Sequence, residues 1–140
     1  MIVLDTNVVS ELFKPAASVA VTAWIDTQPA STLFVTAISE AELLYSVSIM
    51  AAGRRRDALR RGITTVFATV FPGRVLPFDR AAAAEYADWA AERRRSGKAA
   101  GMPDLQIAAI ARARKAVAIA TRNVSDFMGC GMTIINPWLM

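Results

Sequence analysis

The feature that most constrains this chain is that its strand-like runs are apolar throughout: "IVL" at residues 2–4, "TLFVTA" at 32–37 and "AVAIATR" at 116–122. A strand with one face in water alternates apolar and polar residues, whereas a run without alternation has to be covered on both faces. Between these runs lie segments with the apolar spacing of helices. Buried strands alternating with helices call for a parallel sheet with helices on either side, and the expected fold is a three-layer α/β/α sandwich.

The helical segments follow from start and stop signals. "NVVSELFK" reads as a short helix ending near Pro15, and "SVAVTAWIDTQ" as another. "SEAELLYSVSIMAAG" reads as a helix from Ser39 to a stop at Gly53, followed by a basic helix from about Arg54 to Phe71, where Pro72-Gly73 breaks it. "RVLPF" contains Pro77, which allows an edge strand or an extended connector. A long helix is expected from Asp79 to near Gly97, and "PDLQIAAIARARK" places Pro103 in the first turn of the next. "TIIN" is a last short strand before Pro137.

With 140 residues the chain matches one domain of ordinary size. No apolar run approaches the roughly 20 residues of a membrane span, and no basic-then-apolar leader precedes the first strand, so a cytoplasmic protein with no membrane association is expected. Cys130 is the only cysteine, which excludes an intrachain disulfide. There is no histidine. That removes the commonest general base and the commonest transition-metal ligand, and it leaves carboxylates, hydroxyls, amines or a hard metal to carry any chemistry.

Parallel strands joined by right-handed crossovers present their carboxyl ends along one edge, where open α/β sheets bind ligands. Asp5 ends the first strand, Glu40 and Glu42 open the helix after the second, Asp104 opens the helix before the third long strand, and Asn123 and Asp126 follow that strand. Singly, several have a structural explanation. Ser39 to Glu42 is the S-x-x-E of a capping box, which would commit Glu42 to the backbone of Ser39. Asp104 suits the dipole of a first helical turn, Asp126 could cap a short turn, and Thr6-Asn7 could cap the first helix. Asp5 is harder to explain this way, because a carboxylate adjoining a buried strand needs partners. Together, three or four acids in one cleft repel by several kcal/mol per close pair at an effective dielectric of about 20, and a cation is the natural remedy. An all-oxygen ligand set selects Mg²⁺ or Mn²⁺.

Sixteen Lys and Arg against twelve Asp and Glu give a formal charge of +4. The excess lies in Arg54, Arg55, Arg56, Arg60 and Arg61, and in Arg93-Arg94-Arg95 with Lys98. Such clusters are either solvated helix faces or a surface for a polyanion. Beside a metal-holding acidic site, the polyanion reading gains weight, and a phosphodiester-cleaving centre becomes plausible.

Five stretches in order, "MIVLDTNVVSEL", "AISEAELLYSV", "DLQIAAIARARK", "ATRNVSDF" and "INPW", resemble the PIN-domain ribonucleases, specifically VapC-type toxins of toxin-antitoxin pairs. The resemblance spans nearly the whole chain and implies a single PIN domain over residues 1–140. It further implies a Mg²⁺- or Mn²⁺-dependent endoribonuclease with metal held by Asp5, Glu42 and Asp104, an additional catalytic acid in Asp126, and support from Thr6, Asn7, Thr121 and Asn123. RNA as substrate, a cognate antitoxin, a homodimer, and RNA or antitoxin contact by the Arg54–Arg61 helix complete the expectation. The chain departs from the family pattern at Asn123, where an acid is frequent, at Ser46, where Gly is frequent, and at Met102-Pro103 ahead of Asp104. These departures keep open an alternative, a non-catalytic PIN-like module that binds nucleic acid or a partner. Phosphoryl transfer of the D-x-D type would need a second acid where Asn7 stands.

Overall fold

Ile2–Leu4 forms β1, and its three residues suffice because neighbours pair with it on both edges. In the computed structural model, which describes residues 1–140, β1 is followed by α1 (Thr6–Glu11), α2 (Val19–Thr27) and, after a 3₁₀ turn at Ala30–Thr32, β2 (Leu33–Thr36). Then come α3 (Ala37–Ser48), α4 (Arg54–Thr69), β3 (Val75–Leu76), α5 (Arg80–Arg95), α6 (Met102–Ala113), β4 (Ala118–Ala120), α7 (Val124–Phe127) and β5 (Thr133–Ile135). The five strands form one parallel sheet in the order β3-β2-β1-β4-β5. Pro77 confines β3 to two residues at the sheet's edge.

Helices cover both faces, as the unalternating strands require. Leu4, Leu33, Val35 and Ala120 point to one side, where they pack with Val21 and Trp24 of α2, Leu43 and Val47 of α3, and Ile63 and Phe67 of α4. Val3 and Ile119 point to the other, against Trp89 of α5, Ile107 and Ile110 of α6, and Phe127 of α7. The expected α/β/α sandwich is present.

Several helix ends differ from the sequence reading, each for a local reason. α3 begins at Ala37, because Thr36, still in extended backbone at the end of β2, caps it with a side chain that accepts from the Ser39 N–H at 3.0 Å. The capping-box reading of Ser39 and Glu42 is thereby overturned. Gly53 is the N-cap of α4 and does not end α3; its φ of +154° is one that side chains rarely adopt. The first helix is capped by Asp5, whose carboxylate accepts from the Thr6 N–H, and Thr6 and Asn7 lie inside it. Asp79 caps α5 through the Ala82 N–H, as its position before the Ala-rich run implies.

Candidate metal centre at the sheet switch point

The sheet grows outward in one direction from β1 to β2 and β3, and in the other from β4 to β5, so the chain reverses its order between β1 and β4. At such a switch point the connections leaving the strands' carboxyl ends part to opposite sides, which is where open α/β sheets form their ligand crevice. Asp5 follows β1 directly and Thr121 follows β4 directly, and the two face each other across it: Thr121 Oγ1 donates to Asp5 Oδ2 at 2.7 Å.

Asp5 is only 2% exposed, because the sheet and α1 enclose it. Its Oδ1 accepts from the Thr6 N–H at 2.7 Å, and its Oδ2 accepts from Asn7 Nδ2 at 2.7 Å and from Thr121. A carboxylate offers about four acceptor positions, so one direction stays open for a cation. Burial pushes its carboxyl up to about 6 despite these three donors, and the nearby Glu42 charge adds to the rise. Asn7 also accepts the Arg122 N–H at 3.2 Å, and the Thr121 hydroxyl accepts the Asn123 N–H at 2.9 Å. The end of β1 and the start of the β4–α7 turn are thus one polar network.

Glu42 reaches the same crevice from α3, where its Oε1 accepts from the Thr6 hydroxyl at 2.6 Å. Glu40, in the first turn of the same helix, forms none of the ion pairs of the fold. Asp104 arrives by a different route. Because α6 precedes β4 and runs antiparallel to it, the helix starts at the strand's carboxyl edge, and Asp104 in its first turn lies over the crevice. Its carboxyl is also raised to about 6, first by burial and then by the charges of Asp5, Asp126 and Glu42, in that order. Asp104 is therefore close enough to feel three acids that come from other parts of the chain.

The departures from the family pattern have little effect on this arrangement. Ser46 turns its hydroxyl back to the Leu43 carbonyl at 2.7 Å. Met102-Pro103 occupies the first positions of α6 and leaves Asp104 among the other acids. Asn123 is exposed and its side chain caps nothing, whereas Asp126, partly buried in α7, is the acid that acts on Asp104.

No group of three acids stands closed up as a ready-made cage. Mg²⁺ does not need one, since it keeps several waters and takes one or two carboxylates directly. The donor set fits such an ion: all oxygen, no thiolate or imidazole at the crevice, and two carboxyls whose proton affinity is raised first by burial and then by neighbouring acids.

Of the predicted basic residues, Arg54, Arg55, Arg60 and Arg61 are exposed along α4, while Arg56 is half-buried beside Asp57. Arg60 also donates to Ser48 Oγ at 2.9 Å, tying α4 to α3. Arg93 leaves the solvated cluster altogether and is 4% exposed. Sequence reasoning missed this, although Ala82, Trp89 and Arg93 fall on the same stripe of α5 and that stripe faces the core.

A family model for the PIN domain matches residues 2–125, and the chain belongs to that family. Among curated relatives, VapC ribonuclease Y4jK of Sinorhizobium fredii (strain NBRC 101917 / NGR234) is 46% identical over 138 residues, 99% of this chain and 98% of its own length. Toxin FitB of Neisseria gonorrhoeae (strain ATCC 700825 / FA 1090) is 34% identical over 138 residues, 99% of each. The crystal structure of FitAcB from Neisseria gonorrhoeae superposes with a TM-score of 0.91 at 34% identity, covering 100% of both chains. No helix is long and apolar enough to cross a membrane.

Proposed function

We propose that this chain is a divalent-metal-dependent endoribonuclease and the toxin of a toxin-antitoxin pair. The observation that carries the reading is the convergence at the switch point of the sheet of Asp5 and Glu42, bridged by Thr6, with Asp104, whose carboxyl is raised by burial and by the charges of Asp5, Asp126 and Glu42. The similarity to a VapC ribonuclease and to toxin FitB supports both the nuclease and the toxin assignment.

In this reading Asp5, Glu42 and Asp104 hold Mg²⁺ or Mn²⁺. When bound, the ion supplies Lewis-acid polarisation of a phosphoryl oxygen and acidifies an attacking water. The chain's own residues do the rest. Thr6, Asn7 and Thr121 fix both oxygens of Asp5, so the carboxylate loses little freedom when it engages a cation. Thr6 sets Glu42 against the same crevice. Asp126 fills the fourth acidic position in preference to Asn123 and is the acceptor for a proton from the attacking water. In-line displacement at phosphorus would leave a 3′-hydroxyl and a 5′-phosphate.

The cytoplasm is the compartment where such a toxin meets RNA, a cognate antitoxin protein is its expected inhibitor, and a homodimer is its expected assembly. Tyr45 of α3 and Ile49 at its C-cap, one turn apart and 66% and 67% exposed, are apolar side chains that such an assembly would bury.

Purified protein incubated with RNA and Mg²⁺, beside Asp5→Ala and Asp104→Ala, tests the activity. Wild type is expected to cut, both variants to leave the RNA intact, and a chelator to stop the reaction; equal survival of RNA in all samples overturns it. Induced expression in a bacterial host tests the toxin role. Growth should arrest with wild type and continue with Asp5→Asn.

A further inference from the structure

Arg93 is a buried cation without an anion. It takes part in none of the four ion pairs of the fold, which join Lys14 to Glu11, Arg56 to Asp57, Arg112 to Glu85 and Arg114 to Asp79. Its guanidinium lies 5.5 Å from the centre of the Trp89 ring and donates only to backbone carbonyls. Nη1 reaches Ser125 at 3.3 Å and Met128 at 3.4 Å, and Nη2 reaches Ser125 and Ala99, each at 3.3 Å. Its Nε has no partner.

The two segments it joins are the ones that carry acids. Ser125 and Met128 bracket Asp126 in α7, while Ala99 lies in the connection that ends at Gly101, the N-cap of α6, three residues before Asp104. Packing leaves a gap between these segments: a cavity of about 330 Å³, lined also by Arg93 and Lys98, opens where Ala99, Ser125, Asp126 and Met128 come together. α7 is four residues long and has no side-chain cap, so little of its own structure holds it in place. A desolvated cation is costly, and an apolar side chain could fill the same volume without that cost. What the guanidinium adds is a rigid plane of donors able to hold several carbonyls at once.

We propose that Arg93 is a positioning residue that sets the separation of Asp126 from Asp104 by holding their two backbone segments in one guanidinium fork. The inference rests on the reading of these acids as a metal centre, and its test keeps the two apart. Arg93→Met keeps the volume and removes the donors; Arg93→Lys keeps the charge and loses the fork. Two quantities are measured on the full chain: amide hydrogen exchange over residues 97–101 and 124–128, and Mn²⁺ affinity from the free-ion signal in electron paramagnetic resonance. Both variants are expected to speed exchange in both segments and to weaken Mn²⁺ binding by about tenfold. Asp126→Asn should weaken Mn²⁺ binding and leave exchange at 97–101 as in wild type. Combined with Arg93→Met, it should lose less affinity than the sum of the two single losses, since one acts through the other. Unchanged exchange in Arg93→Met, full recovery of Mn²⁺ affinity in Arg93→Lys, or additive losses overturn the proposal. If Arg93→Met fails to fold, Arg93→Lys decides it by the same measurements. If Asp5→Asn and Asp104→Asn bind Mn²⁺ as wild type does, the metal reading falls, and the exchange data still decide the role of Arg93.

Discussion

The Thr6 hydroxyl donates to Glu42 Oε1 at 2.6 Å while the backbone N–H of the same residue donates to Asp5 Oδ1 at 2.7 Å. One residue therefore holds two carboxylates that repel each other, one on β1's end and one on α3. Removing the hydroxyl leaves Glu42 free to swing away from Asp5. Thr6→Val is expected to raise the Mg²⁺ concentration for half-maximal RNA cleavage by about 10- to 100-fold, and Thr6→Ser to restore it. Metal titrations of the cleavage rate measure this; a wild-type curve for Thr6→Val would show that the bridge is incidental.

The raised carboxyls of Asp5 and Asp104 make stability fall as pH rises. In the folded chain both hold a proton up to about pH 6, whereas the unfolded chain releases it near the ordinary value of 3.8. Between about pH 4 and pH 6 the folded state binds more protons, so these two groups progressively destabilise it, and above about pH 6 the cost is complete. For Asp5 the difference corresponds to about 3 kcal/mol at most. Asp104 contributes less, because solvent screens it. With a chelator present, urea denaturation midpoints should fall from pH 5 to pH 7.5, more in wild type than in Asp5→Asn. Adding Mg²⁺ should raise the midpoint at pH 7.5 and hardly move it at pH 5, where protons compete for the same oxygens. Midpoints indifferent to Mg²⁺ at pH 7.5 would contradict the metal assignment.

Thr36, and not Glu42, secures the start of α3. Thr36→Ala should cost about 1 kcal/mol, which for a chain of this size is a fall of roughly 2–4 °C in melting temperature. Glu42→Gln should leave the melting temperature without Mg²⁺ at or above that of wild type, since it removes a repelled charge, while reducing RNA cleavage by at least about tenfold. Calorimetry and cleavage assays on the two variants separate the roles. A melting loss in Glu42→Gln equal to that of Thr36→Ala would show instead that the Glu42 charge stabilises the fold.

The exposed arginines of α4 are suited to a polyanion. Replacing Arg54 and Arg61 by Glu should weaken RNA binding and flatten its salt dependence by about 0.7 in log-log slope for each phosphate that is no longer neutralised. Binding measured from low to moderate salt checks this. Unaltered affinity and slope would make the stripe ordinary solvated surface.

The strands, their parallel pairing and Asp5's place at a strand end were legible because they follow from local pattern: unalternating apolar runs, β-branched residues and the chirality of crossovers. The starts of α5 and α6 were legible for the same reason, through Asp79 and Pro103. The position of Glu42 was not, since S-x-x-E fits a capping box equally well, and the choice depends on whether a distant hydroxyl offers a better partner. Nor was the fate of Arg93. In sequence it is one of three consecutive arginines, and the one sign that it turns inward is its place on the Ala82–Trp89 stripe of α5.

What the chain's order of residues determined by itself is the sandwich and the chemical inventory at its edge: acids without histidine, hydroxyls beside them and arginines in clusters. What tertiary structure alone decided is which of those groups meet. Hydrogen bonds and charge interactions act over a few ångströms, and residues such as Asp5, Glu42, Asp104 and Asp126 come within that range only when sheet order and helix packing bring their elements to the same crevice.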